Sequence, residues 1–216
     1  MMRNILNAVK LDFSLVKPYV KVIGLTMLLP IAFAAVNRSM WTGVSFAMCF
    51  IAMTTGYPFS VAEKNHMERL YGILPVKKWE LVMGRYLFVA ALGVIALAVS
   101  LVTQPLVLRA LGEPVGLPGV VSAAVGGLFL FALYTVFQIP GYYKFGAIKG
   151  RVFLYIPVAG FLVTLLLLSR LPAGNHAFNA MVRSPALLIA FVIALVGVMY
   201  AVSICCSVRI LKKKEM

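Results

Sequence analysis

The sequence predicts an all-α integral membrane protein: an N-terminal amphipathic interfacial helix followed by six transmembrane helices, with both termini cytoplasmic. Three observations carry this. Of the 216 residues, 62% are hydrophobic and only 12% are charged, about half the ~25% charged share of an ordinary soluble domain, and the mean hydropathy is +1.00. The apolar residues gather in runs of about 20, the length that crosses about 30 Å of hydrocarbon at 1.5 Å rise per residue. Those runs lack the two-residue alternation of a barrel, so the helix is the form that satisfies their backbone without water. Six such runs leave no room for an independent soluble domain, and residues 1–216 read as one transmembrane domain.

Residues 1–17 come first. Met2, Ile5, Leu6, Val9, Phe13 and Val16 share one helical face and Arg3, Asn4, Asn7, Lys10, Ser14 and Lys17 the other, the pattern of a helix lying in the membrane interface. The spans follow at Val20 to Val36, Met40 to Phe59, Leu81 to Leu101, Val120 to Ile139, Val152 to Leu168 and Pro185 to Cys206, each bounded by charge or by Gly and Pro. Ala32-Phe33-Ala34 looks like a signal-cleavage site, but Pro30 interrupts the run before it and the charged region ahead is too long for a signal. Lys21 and Arg85 are expected to snorkel to the interface from span ends. Ala123 and Gly127 in the fourth span form a small-xxx-small pair that permits close helix approach.

Orientation follows from Lys and Arg. Sixteen of the twenty lie in the N-terminal segment, the connection after the second span, the connection after the fourth and the tail, while Arg38, Arg109, Arg170 and Arg183 lie elsewhere. The positive-inside rule then makes both termini cytoplasmic. The net charge of +14 is a topology signal; charges spread over four membrane-anchored segments do not form a nucleic-acid surface.

Two cytoplasmic connections remain, at 60–80 and 140–151. In the first, Ser60 stands three residues before Glu63, a capping-box spacing, and Met67, Leu70, Tyr71 and Leu74 follow at i, i+3, i+4 and i+7, predicting a short amphipathic helix that ends at Pro75. An apolar stripe rimmed by Glu63, Lys64, Glu68 and Arg69 suits the docking of another protein. The second reads Pro140-Gly141-Tyr142-Tyr143-Lys144-Phe145-Gly146-Ala147-Ile148-Lys149-Gly150-Arg151, a loop of interspersed aromatic and basic residues, suited to an interface belt or to a second docking contact.

Several chemistries are excluded. No span holds an Asp, Glu or His well inside the membrane, which disfavours a proton-coupled transporter and an intramembrane protease. The chain has no G-x-x-x-x-G-K-[ST] loop and no H-E-x-x-H pair, so it binds neither a nucleotide by that loop nor a metal by that motif. No Cys, His and carboxylate cluster has metal-ligand spacing, and Cys49, Cys205 and Cys206 read as apolar packing residues.

The run Glu63-Lys64-Asn65-His66-Met67-Glu68-Arg69, then Leu74-Pro75-Val76-Lys77-Lys78 and Leu81-Val82-Met83-Gly84-Arg85-Tyr86-Leu87, resembles the first cytoplasmic loop of small type-2 ABC transporter permeases. Tyr143-Lys144-Phe145-Gly146 and Lys149-Gly150-Arg151 resemble the second. Gly72-Ile73 and Ile148 depart from the family's usual Leu-Ser pair and acidic residue. The resemblance implies a permease of an ATP-driven exporter in the bacterial inner membrane. It implies two copies of a separate ABC ATPase that carry ATP and Mg2+, a second permease chain, identical or homologous, and no cofactor on this chain. The coupling residues it implies are Glu63, Lys64, Asn65, Met67, Glu68, Arg69, Leu70, Leu74, Pro75 and Lys78 in the first loop, and Tyr143, Lys144, Phe145, Lys149 and Arg151 in the second. Thr54, Thr55, Tyr57, Gln104, Tyr134 and Gln138 are the polar residues available to a substrate path, and the lack of a buried charge leans toward a hydrophobic or amphipathic cargo, peptide or drug-like. The competing readings are a membrane scaffold or sensory protein that recruits a cytosolic partner, and a channel acting alone.

Overall fold

The computed structural model describes residues 2–67, 76–160 and 185–213. Among these, the order is α1 (Met2–Val16), a 3₁₀ turn (Lys17–Tyr19), α2 (Val20–Thr26), α3 (Leu28–Asn37), α4 (Met40–Thr54), α5 (Gly56–Lys64), α6 (Lys78–Ala110), α7 (Leu117–Lys149), a second 3₁₀ turn (Gly150–Leu154) and α8 (Pro185–Lys213). The fold is all-helical, and five stretches of the described residues are long and apolar enough to cross a membrane: Met2–Asn37, Met40–Lys64, Lys78–Ala110, Leu117–Gly160 and Ile189–Lys213. The expected fifth span, Val152 to Leu168, begins in the helical residues 155–160 and then runs outside the described residues.

Proline accounts for the breaks. A proline lacks the N–H that would bond the carbonyl four residues earlier, and its ring crowds that carbonyl. The boundary between α2 and α3 at Met27 lies three residues before Pro30, and that between α4 and α5 at Thr55 three residues before Pro58. At both breaks threonines bond back to their own helix, Thr26 Oγ1 to Ile23 O, Thr54 Oγ1 to Ile51 O and Thr55 Oγ1 to Ala52 O, each at 2.7 Å.

Pro105 and Pro140 behave differently, each lying inside a helix that continues past it. The 140–151 stretch, expected as a loop, is helical up to Phe145 and again from Ala147, with the backbone leaving helical geometry only at Gly146 (φ 81, ψ 178). The reason is tertiary. The carbonyl that Pro140 leaves free is that of Val136, and Ser203 Oγ of α8 donates to it at 2.7 Å, so the helix continues past the proline without an orphaned acceptor.

That bond directs a chain of others. Since Ser203 gives its one proton to Val136, the 2.6 Å contact between Tyr86 Oη and Ser203 Oγ has Tyr86 as donor, and Ser207 Oγ, 3.0 Å from Tyr86 Oη, donates to it. Beside it Thr135 Oγ1 and Tyr200 Oη are 2.7 Å apart. Polar groups thus tie α6, α7 and α8 together where apolar burial provides little drive between helices.

The contacts also give helix directions. Val44 of α4 lies against Gly127 and Gly56 of α5 against the Tyr142 hydroxyl, so the α4–α5 stretch and α7 run parallel, as do α7 and α8 by the Thr135–Tyr200 and Val136–Ser203 pairs. The Ala123 and Gly127 pair is buried, and a Cβ on Gly127 would stand 2.7 Å from Val44 Cγ1, the close approach the small residues predict. Met48, Leu108, Ile139, Val44, Val82 and Val89 are fully buried among α4, α6 and α7. Val94, Ile95, Val102 and Leu106 of α6 are 60–63% exposed, as side chains facing lipid are.

Replacing Ser203 by Ala removes the donor to Val136 and the acceptor for Tyr86 together. We expect a loss of about 1–2 kcal/mol, read as a lower midpoint of thermal unfolding in detergent, with a smaller loss for Ser207→Ala. Equal stability of Ser203→Ala and the parent would refute this account of the continuous α7.

Candidate functional site

One end of the helix bundle collects groups from α1, α5, α6 and α7. It is built first by the docking of α1 on α6. The face of α1 against α6 carries Ala8, Asp12 and Val16, all buried, while Met2, Leu6 and Phe13 are 78%, 55% and 56% exposed. Asn4, expected on the solvated face, donates from Nδ2 to Glu80 Oε2 at 3.2 Å. Glu80 in turn accepts the Lys77 N–H at 3.1 Å, an acid in the first turn satisfying a helix-terminal donor. One turn further, a Cβ on Gly84 would stand 2.5 Å from Ala8 Cβ and 3.2 Å from Ile5 O, so glycine is what allows the two backbones to meet.

The last contact of this series corrects a sequence expectation. Arg85 does not snorkel to water; it is 6% exposed and grips Asp12 bidentately, Nη2 to Oδ1 at 2.8 Å and Nε to Oδ2 at 3.1 Å. Asp12 is 3% exposed. The α1 helix covers the arginine before it can extend to the interface and supplies the matching carboxylate. The guanidinium carbon of Arg85 also lies 4.3 Å from the Phe59 ring centroid and 5.8 Å from that of Tyr143, within cation–π range. Phe59 and Tyr143 meet edge to face at 5.1 Å, and Phe59 and Tyr142 lie 4.9 Å apart.

A second junction lies one helical turn along α5 and α7. Ser60 is inside α5, which starts at Gly56, so it is not the N-cap that its capping-box spacing to Glu63 predicts. Glu63 instead reaches α7, where its Oε2 accepts the Ala147 N–H at 2.6 Å. Ala147 opens a new helical turn after the break at Gly146, and a carboxylate is favoured at such a terminus. The φ and ψ of Gly146 fall in a region reserved for glycine. After the break the chain folds back: Gly150 lies against the Tyr142 backbone and Phe153 stacks on Phe145 at 5.3 Å. The acidic-Lys-Asn element of the first connection and the Tyr-Lys-Phe-Gly element of the second, 84 residues apart, are thereby joined.

The coupling residues expected from sequence fall as follows. Glu63 is engaged with Ala147, while Lys64 and Asn65 at the end of α5 are exposed and Met67 is half-buried. His66 has φ 50 and turns the chain away from α5. Glu68, Arg69, Leu70, Leu74 and Pro75 lie outside the described residues. Lys78 is the first residue of α6. Tyr143 belongs to the aromatic cluster, Lys144 has its Nζ 5.0 Å from the Phe145 ring, and Lys149 and Arg151 are exposed. Asp12, Phe59, Glu80 and Tyr86 were not among the expected site residues. The one available signal was Asp12, a lone acid between Ala8 and Val16 on an otherwise basic helix.

The polar residues expected along a path are spread out. Thr54 and Thr55 bond to their own helix, Tyr57 stacks on Tyr19 at 4.9 Å, and Tyr134 shares a hydrogen bond with Cys49. Gln138 donates to the Tyr142 hydroxyl. Gln104 is fully buried at the other end of α4, where its Oε1 would stand 2.6 Å from a Cβ on Gly43. Gly43 and Thr55 are roughly 18 Å apart by helical rise. Among the described residues no group of three or more His, Cys, Asp or Glu is placed to hold a metal.

Two substitutions test this end of the bundle. Gly146→Ala forces a side chain into the glycine-only region beside Glu63 and should lower stability by about 1–3 kcal/mol, with protease access to the 140–151 segment as a local readout. Asp12→Ala and Arg85→Ala should each lose about 3–5 kcal/mol by leaving a buried charge alone, whereas the double variant should lose less than the sum. Strict additivity in thermal unfolding would show that the two do not pair.

Comparison with known families gives the context for this geometry. Neither curated proteins nor solved structures give a match, but the family model described as "ABC-2 family transporter protein" matches residues 7–212. That span takes in α1 from Asn7 onward, both segments joined at Glu63 and Ala147, and nearly all of α8. The chain therefore belongs to the ABC-2 transporter family, as a multi-pass membrane permease component of the kind that works with a separate ATPase.

Proposed function

We propose that this chain is the transmembrane subunit of an ATP-driven exporter in the bacterial plasma membrane. Two copies of an ABC ATPase bind its cytoplasmic face, and a second permease, identical or homologous, completes the path. The observation that carries the reading is the bond from Glu63 to Ala147. A push on the segment after α5 is passed directly to α7, and through Phe59, Arg85 and Asp12 to α6 and α1. ATP and Mg2+ act on the partner; this chain receives the motion. In this scheme Glu63 is a positioning residue, and the contacts to the ATPase come from Lys64, Asn65, Met67, Glu68, Arg69, Leu70, Leu74, Pro75 and Lys78, with Lys144, Lys149 and Arg151 as basic neighbours. The cargo is hydrophobic or amphipathic, peptide or drug-like, in keeping with spans that carry few charges. Export is the direction the family resemblance supports.

The test is gentle purification from native membranes. A soluble chain with a phosphate-binding loop and ATP hydrolysis should accompany the protein, and the double reversal Glu68→Lys with Arg69→Glu should reduce recovery of that chain at least about tenfold, an effect of ~1.4 kcal/mol, while membrane insertion stays normal. Recovery of a partner without a phosphate-binding loop would favour the scaffold reading instead, and full ATPase recovery with the reversal would move the contact elsewhere.

A further inference from the structure

The underside of α1 holds a groove that the packing of the chain does not use. α1 meets α6 closely at Gly84 and Arg85, and beside that contact lies a cavity of about 250 Å³ lined by Val9 and Phe13 of α1 and by Phe88, Leu92 and Ile95 of α6. The one charged residue in its wall is Lys10, which is exposed. The apolar wall is open as well: Phe13 is 56% and Ile95 60% exposed, so the groove opens to the outside of the chain rather than into the core. The charges on this strip are one-sided. Arg3, Lys10, Lys17 and Lys21 are exposed, whereas the single acid, Asp12, is buried against Arg85 and offers Lys10 no counter-ion.

From this geometry we propose that the groove is a binding site for an anionic phospholipid, with the phosphate headgroup beside Lys10 and an acyl chain lying along Phe88, Leu92 and Ile95. Each part answers to one feature of the ligand. The apolar channel takes a chain that would otherwise leave a void under α1, and an interfacial lysine at its mouth selects a negative headgroup over a neutral one. An apolar cargo or a neutral lipid would use the channel but gain nothing from the lysine. Bound there, the lipid fills the wedge between α1 and α6 next to the Asp12–Arg85 pair and supports the docking of α1.

The test uses the full-length protein in phosphatidylcholine vesicles carrying a trace of chain-spin-labelled phosphatidylglycerol or, separately, chain-spin-labelled phosphatidylcholine, with the motionally restricted fraction read by electron paramagnetic resonance. The expected result is a preference for phosphatidylglycerol of about fivefold, the effect of one basic side chain at a charged headgroup. Lys10→Gln should abolish the preference, Ala91→Trp, which fills the groove wall, should release one restricted lipid of either kind, and Arg3→Gln, outside the groove, should change little. Equal preference in the parent and Lys10→Gln overturns the proposal. So does an equal loss in Arg3→Gln, which would reduce the effect to the general charge of the interface, or an unchanged restricted fraction in a folded Ala91→Trp.

Discussion

The hydrocarbon core of a bilayer cannot accept or donate a hydrogen bond, so a polar group inside this bundle is met by the protein or by nothing; most described ones are met, while Ser45 Oγ, both amide atoms of Gln104 and Gln138 Oε1 have no partner. The prolines make the requirement visible. Pro30 and Pro58 end helices, with neighbouring threonines bonding back to their own turns. At Pro140 the helix runs on and another helix supplies the missing donor, Ser203 to the Val136 carbonyl. Because that proton is committed, the Tyr86 and Ser207 hydroxyls are oriented in turn, and polarised hydroxyls in series strengthen one another. The Val136 carbonyl thus sets the direction of the hydroxyl chain that joins three helices.

The same constraint acts on charge. A guanidinium at the depth of Arg85 is unfavourable unless its donors are met, and a bidentate carboxylate meets two of them in one plane. Asp12 comes from α1, so satisfying Arg85 means holding the N-terminal helix in one place and register. Ala8 against Gly84 and Asn4 against Glu80 extend the contact. The helix is therefore more than an orientation anchor: its inner face is a packed, partly polar interface, and its exposed Met2 and Leu6 lie outside that interface.

The two contacts at the loaded end of the bundle have different characters. The Arg85 cluster is buried and aromatic, suited to holding helices together. The Glu63 cap is solvent-exposed on the side of Glu63 and depends on one backbone N–H and one unusual glycine. The first buries its charge among four helices, and the second joins the two connections through a single hydrogen bond.

Much of this was written in the order of residues. Apolar runs of the right length, the amphipathic residues 1–17 and the small pair Ala123 and Gly127 specify an all-helical membrane chain because burial and backbone satisfaction act locally, and the motif residues at 63–69 and 143–151 are enough to indicate the family. What sequence alone misjudged was non-local. Pro140 looks like a helix end until Ser203, 67 residues after Val136, satisfies the freed Val136 carbonyl; Ser60 looks like a cap until α5 is seen to begin before it. Arg85 looks like a snorkelling side chain until Asp12, 73 residues earlier, is brought beside it. Periodicity and capping rules weigh neighbours along the chain, whereas the partner of a buried polar group is chosen by which helices pack, and only the tertiary structure makes that choice.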